Sequence, residues 1–456
     1  MSQAVTHFQG EFARLAGSLP GAGHPVLDGL RAAALARFVR EGLPGIRQED
    51  WKYTSLASLE RRPLPVAAAD APEMPTLSAV VAQAVLPDAV HRLVFVDGHF
   101  APSLSRHTLP AGVRAGSLAN RLADQPDGSL PFAVDRLLAA SAAPAPTGVP
   151  AAGSSLAVLN LALGADGFDL HIPAGVVIDA PILVLFVSAS AETTSLPTSH
   201  IRLDAGARAT VIEQHFTLHE GASLTSVVER ITLAPAADLH HIKVQHANSK
   251  AQHVADTEAT VAANAQLHSL VLALGGQLAR EDLRITLAES GAHADLDGLY
   301  LARGRMHLDH HTTVHHASPT CTSAQDYRGI LDEAGRGVFN GRVIVAKDAQ
   351  HTDAQQHNAN LLLSENAEID TKPQLEIFAD DVKCSHGATI GQLDPAELFY
   401  LRSRGLDETA ARSLVTFAFA ARALHRIDSL SPLFAALRTL LFARLPGGSA
   451  LEDLTR

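Results

Sequence analysis

Cys384 and His386 stand two residues apart in the stretch Lys383-Cys-Ser-His-Gly-Ala-Thr389. In an extended chain such residues face the same way, ~6.5–7 Å apart. The pair then presents a thiol and an imidazole together. Thiolate and neutral imidazole are both good ligands for a soft or borderline metal such as iron. Two ligands do not close a metal site, so a second surface would have to complete it. The triplet by itself is a weak signal, because cysteine also packs as a small apolar residue.

A second group is the run His307-Leu-Asp-His-His-Thr-Thr-Val-His-His316, in a chain with 24 histidines, many of them between His240 and His316. Thr312, Thr313 and Val314 favour a strand. On a strand His307, Asp309 and His311 share one face, and His310 and His316 share the other. We read these histidines as structural or solvated rather than as a metal cluster. Asp380 and Asp381 are adjacent carboxylates that a strand would point in opposite directions, so we read them as solvated or turn-forming.

Much chemistry is excluded. None of the six lysines follows a glycine, so no phosphate-binding Gly-Lys-Ser/Thr loop exists. No G-x-G-x-x-G opens a strand–helix unit, and no G-x-S-x-G elbow occurs. Cys321 and Cys384 are the only cysteines. They cannot supply a four-thiolate cluster or a disulfide scaffold, and a reducing compartment follows as the expectation. The net charge of −12 over 456 residues argues against a nucleic-acid binder. No signal peptide is apparent, and the longest apolar stretch, Ala180 to Ala191, falls short of the ~20 residues a membrane helix needs. A cytoplasmic protein is expected.

The elements that would position these residues fall into three parts. The first ~60 residues read as helical. Val26 to Arg40 carries Leu27, Leu30, Ala34, Leu35 and Phe38 on one face, and Pro44-Gly45 stops it. Pro63 to Pro75 looks like a linker. His91 to Phe100 reads as a strand entering an Asp-Gly turn. The Ala/Pro/Gly-rich segment Ala140 to Gly153 reads as a boundary. At the other end, Asp394-Pro395 starts a helix that Gly405 stops, Asp407 caps a second helix, and Ser431-Pro432 starts a third to about Leu445.

Between about Ser155 and Ile390 short β-type runs alternate with small-residue turns. A degenerate motif begins with an aliphatic residue and ends with Ala or Gly. It recurs at Leu203–Ala207, Leu233–Ala237, Val261–Ala265, Leu287–Gly291, Leu331–Gly335 and Leu363–Ala367. Its starts are 30, 28, 26, 44 and 32 residues apart. A strand, a tight corner of small side chains and another strand is the implied unit. Strands returning at such distances without helices between them fit a parallel β-helix, with a stacked β-sandwich as the alternative.

Between Leu331 and Leu406 the chain becomes specific. Its KCSHGAT (383–389) and LFYLRSRG (398–405), with RQEDWKYTSL (47–56) near the start, resemble the SufB/SufD family of iron–sulfur cluster assembly proteins, and SufD-like members in particular. The resemblance implies a mainly β protein: a right-handed parallel β-helix core at 151–392, an N-terminal mostly helical region at 1–150 and a C-terminal helical region at 393–456. It implies pairing with a SufB-like subunit through the end of the β-helix, and docking of a SufC-like ATPase on the C-terminal helices. A homodimer of the isolated chain through the same surface stays open. His386 would face a partner cysteine at a nascent cluster, with Cys384 the weaker candidate. The chain would be a scaffold rather than an enzyme, with no cofactor tightly bound alone, a transient iron–sulfur cluster shared with the SufB-like subunit, and flavin a further candidate on the complex. One departure is Thr320, where many members would carry His.

Two rival readings come from other classes. A β-helix enzyme acting on polysaccharide is disfavoured by the 5 % aromatic content and the missing secretion signal. A His-rich metal-binding protein would hold metal without partners.

Overall fold

Alternation of inward and outward side chains drives the central chain into strands, and small residues let it turn between them. The computed structural model describes residues 2–68, 74–123, 154–427 and 431–447. The Ala140–Gly153 segment and the division at 150 lie outside the described residues, as does part of the Pro63–Pro75 linker. From Ser223 to Gly391 successive strands alternate between two sheets, and each pairs in parallel with the strand two before it. The result is a parallel β-solenoid of about eight turns with helices at both ends, as expected. Sheet I runs from His91–Val96 through Ile182–Ser188 and Arg208–Thr217 to Lys383–Gly391, and sheet II from Arg114–Ser117 through Phe168–Ile172 to Glu368–Ile377. Strands from the N-terminal region thus begin both sheets. The expected turn at Asp97-Gly98 closes an antiparallel pair of His91–Val96 with His99–Phe100.

The recurring motif marks corners of the coil. Its first residue lies at the end of one strand and its last just before the next: Leu203, Leu233, Val261 and Leu287 stack in the interior, as do Ala207, Ala237 and Ala265. The fourth residue turns the chain through the left-handed region at Gly206, Ala236 and Asn264. These corners bond to each other along the stack, Gly206 N–H donating to Pro235 C=O and Ala236 N–H to Ala263 C=O. The 44-residue gap has a geometric cause. Up to Leu287 the motif marks the corner from sheet II to sheet I, whereas Leu331 and Leu363 mark the opposite corner. At that corner a Cβ on Gly335 would come within 2.5 Å of the Ala302 carbonyl oxygen, so only glycine fits.

Each sheet's outer face has its own lid. Ile242, Val244, Leu270, Leu299 and Ile330 of sheet I pack under Leu424, Leu433, Leu437 and Leu441 of the C-terminal helices. Leu224, Val254 and Leu278 of sheet II join Phe8, Phe38 and Trp51 of the N-terminal region and Leu159 of helix Ser155–Leu163. With both faces covered, the strand Ile182–Ser188 is fully buried and apolar up to Val187, which explains the Ala180–Ala191 run. Helix Pro25–Glu41 buries Leu27, Ala34 and Phe38 on the expected face. Asp394 caps helix Pro395–Ser403 through Ala396 N–H, Gly405 adopts φ 97°, and Asp407 caps Glu408–Ala421. The second C-terminal helix changes to a 3-10 turn over Arg422–Ile427.

Candidate functional site

Side chains that point inward form ladders along the solenoid. In sheet I one ladder runs His241, Ser269, Leu296, Gln325, Gln356 and His386. The adjacent ladder carries Ser323, Ala354 and Cys384. Cys384 and His386 therefore share the inward side of the last strand, as the two-residue spacing predicts. They stand at the open end, because Lys383–Gly391 and Glu368–Ile377 are the final strands of their sheets among the described residues. His386 is exposed, while Cys384 packs partly against Val343, Val345, Ala349, Ala354 and Ala379. Burial pushes the Cys384 thiol above its ordinary pKa, so it stays protonated at neutral pH. Among the described residues no third side chain joins this pair in a metal-ligating set.

The run His307–His316 is a strand of sheet II with the expected two faces. Outward, Asp309 accepts from Arg280 Nη1 at 2.7 Å and from the Thr54 hydroxyl, and His311 Nε2 lies 3.0 Å from it. Arg280 is fully buried, lies 3.9 Å over the Trp51 ring and donates to the Asp50 carbonyl at 2.7 Å. The segment around Trp51 is thereby clasped onto sheet II. Inward, His310 stacks against Tyr300 at 5.1 Å, and His316 Nε2 lies 2.9 Å from Ser323 Oγ. These histidines hold the fold together. Asp380 and Asp381 lie in bends between strands, Asp381 exposed 3.0 Å from His351. Cys321 is buried at a corner, its thiol 3.3 Å from the Glu289 carbonyl.

Deeper in the coil lies a polar core that the sequence reading missed. Glu213, Glu229, Glu281 and Lys243 are buried with His215, His241 and His253. Lys243 Nζ lies 3.3 Å from Glu281 and 3.6 Å from Glu229, and donates to Thr257 Oγ1 at 3.1 Å. His253 Nε2 is 3.0 Å from Glu281 and His241 Nε2 is 3.2 Å from Glu229. Burial works against the Lys243 ammonium, but Glu281 and Glu229 outweigh it and hold its pKa above the usual lysine range. Burial, then the neighbouring Glu229, pushes Glu213 well above the carboxylate range. Burial also acts on Glu229, yet His241 and Lys243 hold it well below. Spread over strands far apart in the chain, these residues form no local motif. A signal did exist: in Asp238–Gln245 the apolar residues Ile242 and Val244 face the lid, which turns His241, Lys243 and Gln245 inward.

On the outer face of sheet I, His268 Nδ1 and His293 Nε2 meet Asp295 at 3.0 and 3.1 Å, and Arg426 approaches the same carboxylate at 3.6 Å.

Comparisons with known proteins agree with this architecture. Residues 186–419 match the family described as "SUF system FeS cluster assembly, SufBD core domain", and residues 5–184 match "SufBD protein N-terminal region". The chain is 33 % identical over 422 residues to the iron–sulfur cluster assembly protein SufD of Escherichia coli, covering 91 % of this chain and 92 % of that one. It is 32 % identical to an iron–sulfur cluster assembly SufBD family protein of Synechocystis over 88 % of this chain and 87 % of that protein. To the SufD of Bacillus subtilis it is 25 % identical over 61 % of this chain and 64 % of that one. With both regions matched end to end around the solenoid, the chain belongs to the SufBD family of the SUF iron–sulfur cluster assembly system, on its SufD side.

Proposed function

We propose that this chain is the non-catalytic half of a paired scaffold in iron–sulfur cluster assembly. It joins a SufB-like subunit at the open end of its solenoid and binds a SufC-like ATPase through its C-terminal helices. His386, with Cys384 beside it, faces iron or a nascent cluster at the shared interface. The observation that carries this reading is the position of that pair on the inward side of the last rung. Exposed strand edges flanked by the exposed Ile377, Phe378 and Ile390 are a hazard in a lone protein and a joining surface in an assembly. Helix Pro395–Ser403 supports the second contact, since none of its residues is buried and Phe399 and Tyr400 are exposed.

In this reading the cluster is transient and shared, the chain holds no cofactor of its own, and any flavin belongs to the complex. ATP is hydrolysed in the partner, in a cytoplasmic assembly, and closure of two ATPases strains the scaffold pair as rigid bodies. The test is reconstitution with SufB- and SufC-like chains. His386→Ala should leave the complex intact on gel filtration and cut cluster yield by about tenfold or more, the scale on which metal sites respond to lost contacts. Wild-type yield from that variant would remove His386 from the site.

A further inference from the structure

We propose that Glu213, Glu229 and His241 form a binding site for one divalent transition-metal ion inside the solenoid, separate from its open end. His241 lies five rungs before His386 on the same ladder, roughly 24 Å away at ~4.8 Å per rung. The proposal is independent of the assembly role above, because it needs no partner.

Three observations carry it. The first is spacing. Glu229 Oε1 and Glu213 Oε1 lie 3.2 and 4.0 Å from His241 Nε2, and the donor atoms of all three lie within 4.8 Å of one another. Ligands ~2.0–2.2 Å from a common ion sit ~3–3.6 Å apart, so a small contraction completes the set. The second is that the donor atoms lack aligned hydrogen bonds, their contacts being ion pairs such as His241 Nε2 to Glu229 Oε1. Both Glu213 oxygens, Glu229 Oε1 and His241 Nε2 are buried without a well-aligned hydrogen bond. Buried polar atoms in that condition are costly. The other Glu229 oxygen is already used, accepting from Thr257 at 3.0 Å.

The third is charge. Glu213, Glu229 and Glu281 face a single ammonium, Lys243, which is committed to Glu281 and Thr257. Crowding three carboxyl groups around one ammonium keeps the proton on Glu213, and a divalent ion can take that proton's place between Glu213 and Glu229. A small surface pocket is lined by His215 and His253, whose rings are 4.9 Å apart. Behind them His215 Nε2 lies 3.6 Å from Glu213 and His253 Nε2 3.0 Å from Glu281. One imidazole with two carboxylates and no thiolate suits zinc(II), iron(II) or manganese(II).

The full-length chain would be stripped with chelator and titrated with cobalt(II), read by visible absorption, and with zinc(II), read by equilibrium dialysis and elemental analysis. The expected result is one tightly held equivalent and a zinc-dependent rise in Tm. Glu213→Gln and His241→Gln should each weaken binding at least about tenfold. His268→Ala, in the outer histidine group, and His386→Ala should leave it unchanged. The two interior variants are nearly isosteric and independent, so either one that folds suffices to test the site. No retained equivalent in the wild type, undiminished binding in a folded interior variant, or loss on His268→Ala overturns the proposal.

Discussion

The two cysteines have opposite surroundings. Cys321 is sealed in a corner, one residue before strand Thr322–Leu331, in a stack where other turns place Ala207, Ala237 and Ala265. Cys384 lies on the last rung, half covered, two residues from an exposed imidazole. Because alanine fills the equivalent corners, Cys321→Ala should cost about 1 kcal/mol, as volume-tolerant core changes do, and leave reconstituted cluster yield at the wild-type level. Thermal unfolding and a cluster assay check the two halves. A collapse in yield with normal folding would mean that Cys321 takes part in the chemistry.

At the scale of elements, the buried arginine of sheet II ties two distant parts of the chain together. Arg280 neutralises Asp309 while carrying Trp51 on its guanidinium face and holding the Asp50 carbonyl. Removing it leaves Asp309 buried with one cation fewer. Arg280→Ala should therefore cost about 3–5 kcal/mol. It should also release the segment around Trp51, seen as faster proteolysis near residues 47–56. An unchanged denaturant midpoint would show the clasp to be ornamental. These elements were unevenly legible in the sequence. Corners announced themselves through aliphatic and small residues, because only such side chains stack there. The caps at Asp394 and Asp407 were readable because capping is local. The coil edge that each corner occupies was not readable, since the same motif serves both edges and its spacing jumps where it changes edge. The Glu213 core was hidden for a related reason: register across several rungs, and no short pattern, assembles it.

For the molecule as a whole, the buried histidines set an acid limit. Burial lowers His246, His310 and His316 to about 4, and lowers His215 as well. Above pH ~6.5 neither the folded nor the unfolded chain protonates them, and stability is at its full value. As pH falls from ~6.5 toward 4 the unfolded chain takes up protons that the folded one refuses. Each such histidine then removes about 1.4 kcal/mol of stability per pH unit. Asp297, which burial pushes up to about 7, works the other way, its contribution being present in acid and lost as pH rises through 7. Glu213 and Glu229 shift in opposite directions. The histidines outnumber the opposing group, so the urea midpoint should be clearly lower at pH 5 than at pH 7. An equal or higher midpoint at pH 5 would contradict the buried, neutral imidazoles. The ladders also carry a consequence for the two ends of the tube. The inward side chains of each rung are roofed by the next one, so only the terminal rung greets a neighbour. At this end the exposed rung is made of two strands, Glu368–Ile377 and Lys383–Gly391. Rewriting them would alter what the tube shows to another protein while the interior behind them kept its register.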